Sequence, residues 1–173
     1  LALEELGLEV DFNQGLDARL LTEDVASRLR KLKVPLVRLA YDSQAIREPL
    51  KRAIELLKSI GVDGRRIIVY CLYNFNDSPE DFFKRIQDLI SWEVVSYPMR
   101  YQALEPGPKD GYVSSKWTGK QLEMIAQARR VIGFGGAFPP YEGLRKKFLN
   151  AKSFDEALEL RPRATKTKQS ASG

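Results

Sequence analysis

One stretch constrains the fold more than any other: from Arg66 to Arg85 the chain reads RIIVYCLYNFNDSPEDFFKR. Ile67 to Leu72 is a continuous apolar, β-rich run of the kind that suits a strand covered on both faces. At Tyr73-Asn74-Phe75-Asn76-Asp77 the chain turns polar, and Ser78-Pro79-Glu80-Asp81 carries the marks of a helix start. Ser78 supplies a capping hydroxyl, Pro79 suits the first helical position, and two acids sit at the positive end of the helix dipole. Parallel sheets built from such units put their ligands at the carboxyl ends of the strands, which makes this turn a first candidate site. Asn74, Asn76 and Asp77 are equally the residues of an ordinary turn, so both roles stand at this point.

The same unit recurs. Val10 to Gln14 reads as a short strand, Gly15 to Arg19 as the loop at its end, and Thr22 as the cap of a helix with Val25, Leu29 and Leu32 on one face. Leu36 to Tyr41 is a second strand with Asp42-Ser43-Gln44 at its exit. Pro49 opens the next helix, whose Leu50, Ala53, Ile54 and Leu57 follow helical spacing, and Gly61 ends it. The helix after Asp77 buries Phe82, Phe83, Ile86, Leu89 and Ile90. Val94 to Met99 is a fourth strand, with Pro98 expected at its end because proline donates nothing to a ladder.

Four strand-then-helix units therefore begin near residues 10, 36, 66 and 94, about the 30-residue spacing of a βαβ repeat. Alternation of this kind implies an α/β fold with a parallel sheet and right-handed crossovers. All the carboxyl-end turns must then open on one side. That gathers Asn13, Gln14, Asp17, Arg19, Asp42, Ser43, Tyr73, Asn74, Asp77 and Arg100 on one rim.

After a Pro/Gly loop over residues 100–108, Thr118 and Gln121 form a capping box for a helix burying Leu122, Ile125, Ala126 and Ile132. The glycine and aromatic loop over residues 133–141 follows a helix rather than a strand, so it lacks the context of a dinucleotide fingerprint. Ser153 with Glu156 caps a last helix carrying Phe154, Ala157, Leu158 and Leu160. Residues 1–160 thus read as one α/β unit, a size that suits a single core. Residues 161–173 read as a basic disordered tail, with contact to RNA or another polyanion and a merely solvated terminus or cloning remnant both open.

Charge and absent residue types restrict the chemistry. Of the formal net charge of +5, Arg161, Arg163, Lys166 and Lys168 carry four units, which leaves residues 1–160 at +1. With no histidine in the sequence, a Ser-His-Asp or Cys-His hydrolase and any His-ligated metal site are impossible within this chain. Cys71 is the single cysteine; it excludes an internal disulfide and cannot hold an iron-sulfur cluster or thiolate zinc alone. No apolar run approaches about 18 residues and no signal-peptide pattern is present, which points to a cytoplasmic protein without a membrane partner. The chain begins Leu1-Ala2-Leu3, without Met, in what reads as the end of a helix, and the expectation is a piece of a longer protein.

VDFNQGLDARLL, VPLVRLAYDS, RIIVYCLYNFNDSPEDFFKRI and VVSYPMRYQAL, in this order and spacing, resemble the second part of the barrel of radical S-adenosylmethionine (SAM) enzymes. The resemblance covers roughly residues 8–104. It implies a partial, TIM-barrel-like (β/α) barrel with about four parallel βα units, followed by C-terminal helices. In that family a C-x-x-x-C-x-x-C motif holds a 4Fe-4S cluster that binds and reductively cleaves SAM, giving a 5'-deoxyadenosyl radical that abstracts hydrogen. No such motif stands in this sequence, so the resemblance implies a parent enzyme whose N-terminal portion is a missing partner and a chain inactive alone, without SAM or cluster of its own.

The resemblance further implies that Asn13, Gln14, Asp17, Arg19, Asp42 and Ser43 meet the ribose and methionyl groups of SAM, with Arg19 on the carboxylate. Tyr73, Asn74 and Phe75 would lie against adenine, and Tyr97, Met99 and Arg100 would face adenine or substrate. Pairing of Arg19 with Asp17, turn or cap roles for Asp42 and Asp77, and core roles for Tyr97 and Met99 stand beside these assignments. The competing class is a non-catalytic α/β module that binds a nucleotide or protein partner through the same rim. A complete flavodoxin-like domain is disfavoured, because no phosphate-cradling turn follows a strand. An incomplete barrel exposes an unpaired edge, which predicts self-association; the substrate is left unidentified, nucleic acid included.

Overall fold

Three parallel strands form the sheet, in the order β1 (Val37–Ala40), β2 (Ile67–Tyr73) and β3 (Val95–Arg100). The structure, a computed structural model, describes residues 5–103, 111–132 and 142–159. Val37 lies opposite Ile67, Tyr70 opposite Tyr97, and Tyr73 opposite Arg100. Helix α1 (Glu23–Lys31) precedes β1, while α2 (Arg47–Ser59) and α3 (Pro79–Ser91) make the two crossovers. The fold is therefore α/β with a parallel open sheet, consistent with part of a TIM-like barrel.

The expected first strand is a finding against the repeat as read. Residues 10–14 form no ladder: a single parallel bridge joins Glu9 to Lys33, and the backbone bonds Val10 N to Lys33 O (2.9 Å) and Leu16 N to Arg38 O (2.8 Å) hold the segment beside β1. The cause is local. A tight turn, Gly15 N to Phe12 O at 2.9 Å, interrupts the segment, and Gly15 adopts φ +83° with its Cα side 3.3 Å from Arg38 O where a Cβ would stand. The segment keeps the direction of the sheet but not its hydrogen bonding.

β2 alternates strictly. Ile67, Val69, Cys71 and Tyr73 are buried toward the helices, whereas Ile68, Tyr70 and Leu72 on the other face are half-buried. The apolar run thus reflects one closed face and one face partly open, the face that lines the lumen in a closed barrel. Pro98 stands inside β3, opposite Cys71, rather than at its end. It is tolerated because β3 has no neighbour on its far side among the described residues, so its missing N–H costs no ladder bond.

Helix α3 is built as its sequence dictates. Phe82, Phe83, Ile86, Leu89 and Ile90 are all buried, and Ser78 and Asp81 form a reciprocal capping box, Asp81 N to Ser78 Oγ 3.2 Å and Ser78 N to Asp81 Oδ2 3.1 Å. Ser78→Ala removes one of these bonds and should cost about 1 kcal/mol in urea unfolding. A loss under a few tenths would mean that Asp81 alone holds the terminus. In α1 the buried face is Ala26 and Leu29, and Val25 is 37% exposed. Helix α2 starts at Arg47 rather than Pro49, after a single turn over Gln44–Ile46, and buries the four positions expected of it.

Three C-terminal helices, α4 (Gly119–Ile132), α5 (Glu142–Asn150) and α6 (Phe154–Leu158), complete the described chain. Thr118 and Gln121 cap α4 as expected, and it buries Leu122, Ile125 and Ala128, with Ala126 only half-buried. Phe154 sets its ring edge against Phe82 (6.5 Å) and Trp117 (5.7 Å) and donates its N–H to Glu80, which locks α6 onto α3. The side chain of Ile132, the loop over 133–141, Leu160 and the basic segment 161–173 lie outside the described residues. Among the described residues no helix is long and apolar enough to cross a membrane.

Candidate functional site

Because the strands run parallel, the turns after β1 and β2 and the chain leaving β3 meet at one mouth. A buried guanidinium organises it. Arg85 projects from α3, is fully buried, and donates from Nη1 to Tyr41 O (2.6 Å) and Leu72 O (2.9 Å), at the ends of β1 and β2. Its Nη2 meets Asp77 Oδ2 at 2.5 Å. The other oxygen of Asp77 accepts from Phe75 N (3.1 Å), and Trp117 Nε1 donates to Asp77 O (2.9 Å). Burial pushes the Asp77 carboxyl upward and outweighs the lowering pull of the Phe75 N–H, Arg85 and Trp117. The polar turn is thus tied to the ends of β1 and β2 and to Trp117, just before α4.

Asn74 forms a second tie. It has φ +67°, is fully buried, donates from Nδ2 to Tyr112 O (2.9 Å) and accepts from Ser114 N (2.9 Å). A side-chain amide that pairs with a carbonyl and an N–H in this way acts as one further rung of backbone bonding. It holds residues 112–114 across the end of β2.

Above these ties lies a cavity of about 480 Å³, bounded by Asp42, Ser43 and Gln44 after β1, by Leu72 and the Phe75–Asp77 turn after β2, and by Asp81 and Arg85 of α3. Its volume is in the range of small-molecule sites. Asp42 Oδ1 accepts from Leu72 N (3.1 Å), while the Ser43 hydroxyl makes no capping bond to the turn that follows. The Gln44 amide is half satisfied. One end lies 3.1 Å from Tyr41 Oη, whose single proton also reaches Asp88 at 2.8 Å, and the other end is buried without a partner.

The sheet face away from the helices carries a different group. Arg38 on β1 is ion-paired to Asp11, which raises its pKa, and also bonds Tyr70; Tyr70 meets Tyr97 edge-on at 5.4 Å. Tyr97 therefore lies at mid-strand, below the mouth and on the lumen face.

The structure sorts the expected site residues. Asp42, Ser43 and Phe75 come together around the cavity. Two others leave the rim: Tyr73 is a core residue between Phe82 (5.1 Å) and Trp117 (5.7 Å), and Asn74 is spent on residues 112–114. Tyr73 shares its parity with Val69 and Cys71, so it points to the helices. Asn13 and Gln14 are exposed in the turn before Gly15. Asp17 and Arg19 are exposed and bonded to each other through two guanidinium nitrogens, which holds Asp17 down at about 2, and their turn packs on α2. Met99 is exposed, and Arg100, half-exposed at the end of β3, donates to Tyr112 O (3.0 Å). Arg85 and Gln44 were not among the site residues expected, although an arginine three residues after Phe82 and four before Leu89 falls on the apolar face of its helix.

Neither a metal centre nor a reactive thiol is available among the described residues: no group of three His, Cys, Asp or Glu side chains is placed to bind a metal, and burial pushes the Cys71 thiol up to about 12.

Parallel strands, helical crossovers and a polar mouth at the carboxyl ends define a portion of a (β/α) barrel. No family model matches this chain, and no curated protein matches it. Among solved structures it is similar to the coproporphyrinogen III oxidase HemN of Escherichia coli, described as a radical SAM enzyme, with a TM-score of 0.53 and 15% identity over 80% of this chain. The chain spans 36% of the length of that protein. At such identity the likeness is one of fold alone, and it fits part of a (β/α) barrel.

Proposed function

We propose that the chain is the part of a radical SAM enzyme that shapes the SAM and substrate pocket, in a longer protein whose other part carries the 4Fe-4S cluster. The observation that carries this reading is the cavity at the mouth, where Asp42, Ser43 and Gln44 stand beside the Phe75 ring. Hydroxyls that both donate and accept, such as those of a ribose, suit the Asp42 carboxylate and the Ser43 hydroxyl, and a purine suits the ring. SAM would supply the 5'-deoxyadenosyl group for hydrogen abstraction. The chain's own residues bind and orient it. Asp17 occupies the Arg19 fork in this arrangement, so a SAM carboxylate at Arg19 would displace that exposed pair. The cluster does not fit here: Cys71 is buried and protonated, so no step is assigned to it within this chain.

The test is to express the whole reading frame that contains this chain without oxygen, supply iron and sulfide, and measure 5'-deoxyadenosine released under reductant. Release is expected, with the KM for SAM raised about tenfold by Ser43→Ala, the scale of one lost hydrogen bond. A folded, cluster-loaded parent that releases none would overturn the reading.

A further inference from the structure

We propose that Tyr101 and Tyr112, with Phe75, form a stacking platform at the mouth for an unpaired base of a single-stranded nucleic acid. Phe75 and Tyr101 lie 4.5 Å apart with planes tilted by 37°, and Tyr101 and Tyr112 meet at 5.3 Å and 75°. Phe75 is 42% and Tyr112 39% exposed, so core packing does not account for rings of this size. The backbone beneath them is nevertheless fixed at every ring. Tyr112 O accepts from Asn74 and Arg100, Tyr101 N donates to Tyr73 O (2.8 Å), and Phe75 O accepts from Ser114 Oγ (2.7 Å). Exposed rings on an immobilised backbone bind flat ligands with little ordering cost.

The ring type and the charge select the ligand. Aliphatic side chains would serve an aliphatic ligand as well, whereas an aromatic corner favours a π face, and every nucleobase has one. Lys116 is exposed and its Nζ rests on Asn76 O (2.6 Å), next to Phe75, a partner that leaves its charge uncompensated. Lys120 is exposed on the first turn of α4. Cations of that kind neutralise phosphates, which a free nucleoside lacks. The inference uses the same mouth as the reading above but not its radical chemistry.

The test is fluorescence anisotropy of a labelled single-stranded RNA of about 12 nucleotides, within the usual site sizes, titrated with the full 173-residue chain. Saturable binding is expected at low salt, weakening several-fold between about 50 and 200 mM salt. Tyr101→Ala with Tyr112→Ala should weaken it about tenfold or more, while Tyr101→Phe with Tyr112→Phe should preserve it, because stacking needs the ring and not the hydroxyl. Should the double alanine variant unfold, Tyr112→Ala alone makes the same comparison on the exposed ring. Absence of binding at low salt overturns the proposal. So does binding that ignores the ring variants and vanishes on removal of residues 161–173, or free adenosine competing as well as the RNA. No cluster or SAM is present in the assay, so its failure leaves the radical SAM reading standing.

Discussion

Replacing Arg85 by methionine is expected to lower the unfolding free energy by about 3–5 kcal/mol, the cost of removing one member of a buried ion pair. Against a typical total of about 5–15 kcal/mol this is a large share, and it corresponds to a fall in Tm of roughly 6–20 °C. The reason is that one guanidinium closes the ends of two strands and neutralises Asp77 at once. Without it, Tyr41 O and Leu72 O lose their donor and the carboxylate is left buried.

The pH dependence of that loss has a definite sign. Burial raises the folded pKa of Asp77 above its ordinary 3.8, so its protonated form is favoured by folding. Stability from such a group is present below about 3.8 and is lost as pH rises through the folded pKa. Removal of Arg85 deletes one of the opposing pulls, so the Arg85→Met deficit should be smaller near pH 4 than at pH 7. Adding Asp77→Asn should restore part of the loss at pH 7. Urea unfolding curves within 1 kcal/mol of the parent for Arg85→Met would show that water replaces the guanidinium at little cost.

Asn74→Ala should be the next most damaging change, at about 3 kcal/mol. Two contributions add: an alanine at φ +67° pays about 1 kcal/mol for the left-handed backbone, and the Ser114 N–H is left buried without an acceptor, for about 1–3 kcal/mol. Asn74→Gly separates them, because glycine accepts the backbone angle but not the bonds, and it should recover about 1 kcal/mol relative to alanine. Equal stabilities of the two variants would remove the backbone contribution. Limited proteolysis supplies an independent check: both variants should be cut faster near residues 111–114, which the amide holds in place.

Why some of this was legible in the sequence and some was not follows from the range of the forces involved. The capped start of α3 and its five buried positions are set within four residues of one another, so periodicity and cap chemistry reveal them. The parallel direction of the strands follows from crossover length. The fate of Asn74 depends on partners 38 and 40 positions away, which no local pattern announces. Tyr73 was legible in principle: read as an alternation rather than as one apolar run, Val69, Cys71 and Tyr73 fall on the helix side together. Arg19 pairs with its neighbour two residues back, a local solution that competes with any ligand for the same fork. Residues 10–14 failed as a strand because Gly15 lets the chain turn where a ladder had to continue. Among the candidate site residues, Asp42, Ser43, Phe75 and Asp77 line one cavity, whereas Asn13, Gln14, Asp17 and Arg19, equally set by turn position, lie outside it.

The two-sidedness of β2 has a consequence for how a chain of this kind changes over time. Ile67, Val69, Cys71 and Tyr73 answer to the helices, while Ile68, Tyr70 and Leu72 answer to whatever occupies the hollow. Odd and even positions of a single strand are therefore under separate demands, one set by the helix layer and one by the open face. A lineage can rewrite the even set without renegotiating the odd set, and a designer can mutate the two as independent libraries.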